Sequence, residues 1–165
     1  MTSLLLDTDS LIKLTKAGLK EVIVQNFIVT IPLQVKKESI DQAKEKPDAL
    51  IIEKNIMQNH IKVEFTHKND EVLERQIKEL NIQGGEQDVY RLYIQKQYDL
   101  ISSDDQKFLK TLHLLNKNAI TPASLIVFLY KRKKMNQATA LKMLENLRIH
   151  VSMIEYDLSK KEIGG

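Results

Sequence analysis

Residues 4–12 read Leu4-Leu5-Leu6-Asp7-Thr8-Asp9-Ser10-Leu11-Ile12. A short apolar run ends on an acid, and apolar residues at helical spacing follow, so the stretch predicts a buried strand feeding a helix. The same alternation recurs along the chain. Phe27-Ile28-Val29-Thr30-Ile31 is a second apolar strand, and Pro32 opens a helix through about Ala43. Pro47 opens another that ends near His60, after which Ile61-Lys62-Val63-Glu64-Phe65 alternates as a half-buried strand does. Asn69 or Asp70 caps a helix bearing Val72, Leu73, Ile77 and Leu80. Asn81 to Gly85 is a break, and the helix after it places Val89, Leu92 and Tyr93 on one face. Asp99-Leu100-Ile101-Ser102-Ser103 is a fourth strand, followed by a helix holding Phe108, Leu109 and Leu112. Ala119-Ile120 is a fifth, and Thr121 and Pro122 then cap and open a helix through Tyr130. Strands alternating with helices predict an α/β fold of three α/β/α layers around a central parallel sheet. One domain is expected over residues 1–150. Residues 122–150 carry no strand and are expected as a C-terminal helical hairpin, with 151–165 a polar tail.

Composition removes whole classes of function. Lysine and arginine total 25 against 22 acids, so the net charge of +3 names no electrostatic partner. The chain has no cysteine, which excludes disulfides, thiolate metal sites and cysteine nucleophiles. Of five glycines only Gly84 and Gly85 form an internal pair, so neither a dinucleotide-binding nor a Walker phosphate loop can be built. No stretch approaches the ~18 apolar residues of a membrane span, and a soluble, cytoplasmic protein is expected.

Open parallel sheets bind ligands at the carboxyl ends of their strands, so the acids there carry the most information. Asp7 directly follows the first strand, and Asp104-Asp105 follow Ser102-Ser103. A carboxylate at the end of a buried strand loses hydration and must find a partner. Glu38 lies three residues beyond Val35 on the helix after the second strand. Asp88 sits one turn before Leu92, and Glu86 is about 200° from it on a regular helix. Asp88 is therefore expected to face the sheet in preference to Glu86. With 22 acids in 165 residues, some near helix starts need no more than the helix dipole to explain them.

Taken together, Leu6-Asp7-Thr8-Asp9-Ser10-Leu11-Ile12, Pro32-Leu33-Gln34-Val35-Lys36-Lys37-Glu38, Gly85-Glu86-Gln87-Asp88 and Leu100-Ile101-Ser102-Ser103-Asp104-Asp105 resemble the PIN domain family. That family includes the VapC-type toxins of toxin–antitoxin pairs. The resemblance implies a catalytic cluster of Asp7, Glu38, Asp88 and Asp105, with Asp104 and Glu86 as neighbouring metal ligands. Ser103 matches the hydroxyl that hydrogen-bonds into the cluster. The chain departs from the pattern at Asp9, where the family usually has Ser or Asn; Asp9 is expected to cap the first helix, or else to add a carboxylate.

Oxygen ligands without Cys or paired His select Mg²⁺ or Mn²⁺ over zinc. Crowded carboxylates raise one another's pKa, and a bound cation relieves this. The resemblance implies hydrolysis of RNA by such an ion. RNA needs cations outside the acidic centre, and Lys37, Arg91 and Lys107 are the candidates nearest the acids. The run Lys131-Arg132-Lys133-Lys134 ends a helix, where the dipole alone favours positive charge. Leu141, Leu144 and Leu147 lie at helical spacing and are expected to pack on the domain; beside RNA, an antitoxin protein or a second copy of the chain are the alternative partners for that face. Two other readings stay open: a housekeeping RNA-processing nuclease, and an RNA-binding or scaffold module with an incomplete metal cluster.

Overall fold

The computed structural model describes residues 1–41 and 46–164. Five strands form one parallel sheet in the order β3-β2-β1-β4-β5, made of β1 (Thr2–Leu6), β2 (Phe27–Pro32), β3 (Ile61–Glu64), β4 (Leu100–Ser102) and β5 (Ala119–Ile120). β1 lies at the centre because Leu4, Leu5 and Leu6 leave almost no surface exposed. Burying each contributes roughly 1.5–3 kcal/mol. In register, Leu4 stands opposite Val29 on one side and Leu100 on the other. The chain winds outward from β1 to β3, then returns to β1's other side with β4. The winding therefore reverses between β1 and β4, and such a switch point leaves a crevice at the carboxyl ends of the two strands.

Helices cover both faces: α1 (Thr8–Lys16), α2 (Lys20–Asn26), α3 (Leu33–Lys36), α4 (Pro47–Met57), α5 (Glu71–Glu79), α6 (Glu86–Lys96), α7 (Gln106–Leu114), α8 (Pro122–Lys131), α9 (Gln137–Leu147) and α10 (Met153–Ile163). Asp70, Thr121 and Asn136 each cap the following helix with a side-chain oxygen that accepts from the N–H three residues on. α8 and α9 pack on one another as the expected helical hairpin, and α8 is buried on most of its circumference, through Ala123, Leu125, Ile126 and Leu129, so the hairpin is part of the core. Among the described residues no helix is long and apolar enough to cross a membrane.

Four local expectations change. The helix after Pro32 is one turn of α3 that widens into a π-helical turn over Lys37–Asp41, and its expected end at Ala43 lies outside the described residues. Helix α2 has no counterpart in the sequence reading, because its seven residues run straight into β2 with no punctuating Gly or Pro. Phe65 leaves the sheet and is exposed, since β3 ends at Glu64. The polar tail is instead α10, which packs on α8 and α9. Its apolar residues do not share one face: Ile163 is buried, while Met153, Ile154 and Leu158 are exposed. The helix was nevertheless signalled by Ser152 and Glu155 at capping-box spacing, and Ser152 Oγ does accept from the Glu155 N–H at 3.2 Å.

Candidate functional site

At the carboxyl ends of β1 and β4 the chain builds a cavity of about 510 Å³, lined by Asp7, Asp9, Glu38, Glu86 and Asp105 with Thr8 and Lys107. Asp7 closes β1 and caps α1, its Oδ1 accepting the Ser10 N–H at 2.8 Å. It is 6% exposed, and burial pushes its carboxyl up to about 6, against the opposing hydrogen bonds from Ser103 and Ser10. The cap of α1 is thus Asp7 and not Asp9 as expected. Asp9 sits in the first turn with its side chain on the cavity wall, where its charge helps raise Asp7.

Glu38 enters from the π-helical turn. The Thr8 hydroxyl donates to its Oε2 at 2.5 Å and the Gln34 amide to its Oε1 at 2.9 Å, so both oxygens are oriented. Neither Thr8 nor Gln34 stood out in the sequence, although Gln34 lies four residues before Glu38, the spacing that brings helical side chains together. Across the cavity Gly85 leaves room for this carboxylate, because a Cβ there would lie 2.9 Å from Glu38 Oε2.

The helix after the Gly-Gly break turns the opposite way from the expectation. Glu86, not Asp88, points into the cavity. Burial, then the charges of Asp105 and Asp7, push Glu86 up to about 7, with Lys107 opposing. The physical reason is that α6 buries Val89 and Tyr90 as well as Leu92, and Glu86 stands three and four residues before the first two. Asp88 lies on the side of Arg91 and is engaged elsewhere. It accepts from Thr66 Oγ1 and from Arg91 Nη1, each at 2.8 Å. Arg91 also grips Glu74 with two nitrogens, at 2.5 and 2.8 Å, and is 2% exposed. A buried guanidinium so occupied joins α5 to α6 and cannot meet a phosphate, which corrects its expected substrate role.

On the β4 side Asp105 caps α7, accepting the Phe108 N–H at 2.7 Å, while its own N–H donates to Ser103 Oγ at 3.1 Å. Asp104 turns away to pair with Lys13. Lys37 is exposed and does not line the cavity. Lys107 does. A second cavity of about 430 Å³ shares Asp9 and Glu38 and adds Lys13, Lys16, Lys46 and His150.

The site therefore brings together Asp7, Glu38, Glu86, Asp105 and Asp9, and leaves Asp88, Asp104, Lys37 and Arg91 outside. Its donor set is all carboxylate oxygen, with two members, Asp7 and Glu86, raised by burial and like charge. That chemistry fits a hard divalent cation. Among the described residues no group of three or more His, Asp or Glu is drawn together tightly enough to grip one already.

A family model described as a PIN domain matches residues 3–164 of the chain. No curated protein and no solved structure matches it significantly.

Proposed function

The chain belongs to the PIN domain family, whose fold is a nuclease-type fold, and from that premise we propose that it is a Mg²⁺- or Mn²⁺-dependent endoribonuclease. The observation that carries the reading is the shared cavity of Asp7 and Glu86, two carboxyls from distant elements raised to about 6 and about 7 by burial and mutual charge. Perturbed carboxyls gathered in a cleft are what metal-assisted hydrolysis uses.

Asp7, Glu86 and Asp105 would hold the ion, with Glu38 facing them and Asp9 at the margin. A bound Mg²⁺ or Mn²⁺ would lower the pKa of a water and offset charge developing on a phosphodiester. Thr8 and Gln34 keep the Glu38 carboxylate turned toward the cavity. Ser103 ties the Asp105 backbone to the end of β4 and donates toward Asp7. Lys107 is placed to meet the phosphate that the carboxylates alone would repel. Asp88 and Arg91 support the site from behind by fixing α6.

The test is cleavage of RNA by purified protein. Cleavage with Mg²⁺ or Mn²⁺, silenced by a chelator and by Asp7→Asn, Glu86→Gln or Asp105→Asn, is the expected result; full activity of Asp7→Asn sinks the assignment. A toxin role in a toxin–antitoxin pair adds growth arrest on expression, relieved by a small co-transcribed protein. A housekeeping nuclease gives cleavage without arrest. The loose carboxylate spacing favours one second reading, an RNA-binding PIN module without catalysis. Salt-sensitive RNA binding with no cleavage under any metal would select it.

A further inference from the structure

A larger cavity, of about 920 Å³, opens at the opposite, amino-terminal edge of the sheet. Leu100, Ala119 and Leu129 contribute an apolar floor, and Lys117, Arg132 and Lys134 stand on its walls. The carboxylate there, Asp99, is already satisfied: it accepts from the backbone N–H and the hydroxyl of Ser3, both at 2.8 Å. It forms no ion pair with Lys117, Arg132 or Lys134, and its single charge is outnumbered by their three. Nor can they serve the carboxylate site. α8 starts beside the carboxyl end of β5 and runs back along the sheet for ten residues, about 15 Å at the helical rise.

The dipole of α8 favours the cations at its end, and Lys117 comes separately from the turn that closes α7, its N–H donating to the Leu112 carbonyl at 2.9 Å and its Nζ 5.9 Å from the Tyr93 ring centroid. Two unconnected segments thus bring positive charge to one concavity. Arg132 is also held against an aromatic ring. Its guanidinium lies 4.3 Å from the centroid of the Phe128 ring, which itself stacks on Phe27 at 5.7 Å. A guanidinium ordered in this way spends little entropy on meeting a phosphate. Asn118 adds an amide able to donate and accept. An apolar floor, a few convergent polar groups and a volume within the ~300–1,000 Å³ of small-ligand pockets describe a site for a planar, charged ligand.

We propose that this cavity binds a nucleotide through its phosphate, supplied either as a free nucleotide or as part of an RNA strand. The preference for phosphate stands on the cavity alone; the choice of nucleotide over other organic phosphates rests on the nuclease reading above.

The experiment uses the full chain in chelator at low salt, so that binding is read apart from cleavage. The probes are the four 5′-mononucleotides, inorganic phosphate, a single-stranded RNA of about ten nucleotides and an acidic decapeptide. Binding of mononucleotides assigns a free-nucleotide site, and binding of the RNA alone assigns a strand site. In either case Arg132→Glu with Lys134→Glu should weaken affinity at least about tenfold and flatten the salt dependence by ~0.7 per lost contact on the RNA. Lys117→Gln, which leaves the aromatic stack intact, should weaken it less but measurably. Unchanged affinity in both basic-residue variants, no binding of any nucleotide or RNA, or equal binding of the decapeptide overturns the proposal. Cleavage that survives alongside unchanged binding refutes this site alone. Absent cleavage with the expected binding losses refutes only the catalytic reading.

Discussion

Replacing Asp7 by Asn should make the metal-free protein more stable while it abolishes cleavage. The carboxyl of Asp7 ionises near 3.8 in an unfolded chain and near 6 in the fold, because burial penalises the charged form. A raised carboxyl binds its proton more tightly when folded, so stability falls as pH rises through this window. Below 3.8 there is no penalty, and above about 6 it is complete. The difference corresponds to about 3 kcal/mol at pH 8, with roughly half of it already present at pH 5. Asn removes the charge yet keeps the oxygen that accepts the Ser10 N–H, so the α1 cap survives. For a chain of this length about 3 kcal/mol moves the melting temperature by some 5–10 °C. The assay is thermal denaturation of both proteins in chelator from pH 3.5 to 8. The curves should meet at the acid end and separate progressively, with the variant higher. Saturating Mg²⁺ or Mn²⁺ should then close or reverse the gap, since an ion at 100 times its dissociation constant adds about 2.7 kcal/mol to the protein that can hold it. Parallel curves across this pH range, or a less stable variant at pH 8 in chelator, would refute the view that Asp7 is a desolvated charge awaiting a cation.

Glu86→Gln and Asp88→Asn separate the two acids of α6. The first should lose cleavage and gain stability at pH 8 without metal; the second should keep cleavage but lose about 1–3 kcal/mol in urea denaturation by removing the charge with which the buried Arg91 pairs. Loss of cleavage with unchanged stability in Asp88→Asn would return that residue to the site. Gly85→Ala places a methyl group against Glu38, a side-chain end that can swing aside, so kcat should drop while the melting temperature holds within a few degrees. A large fall in melting temperature would show that the contact is structural. Removing residues 153–165 should destabilise the domain strongly, because it strips Tyr156 and Ile163 from the core and takes the Glu155 carboxylate from the Ala123 N–H at the start of α8. Limited proteolysis reads the outcome, and a truncated chain as resistant as the full one would contradict the packing of α10.

The alternation of apolar runs with helical segments was enough to specify the parallel sheet, since a strand buried on both faces must be continuously apolar and its return must cross over a helix. It was enough, too, to place Asp7 and Asp105 at strand ends, because a carboxylate that ends a strand is fixed by that strand. Helix faces were harder. Asp88 and Glu86 differ by two residues, and only the depth to which α6 sinks against the sheet decides which of them enters the cavity. The same depth buries Arg91, so a cation that reads as a phosphate ligand becomes the link between α5 and α6. Helix α10 was hidden because its buried residues are polar as often as apolar, and their partners lie on α8 and α9. What the sequence by itself determined is therefore the fold and the presence of carboxylates at its carboxyl edge, both of which follow from local pattern and residue chemistry. The tertiary structure alone decided which acids share one cavity, how far burial raises them, and where the surplus lysines and arginines converge, because each depends on the distance and solvent between groups far apart in the chain.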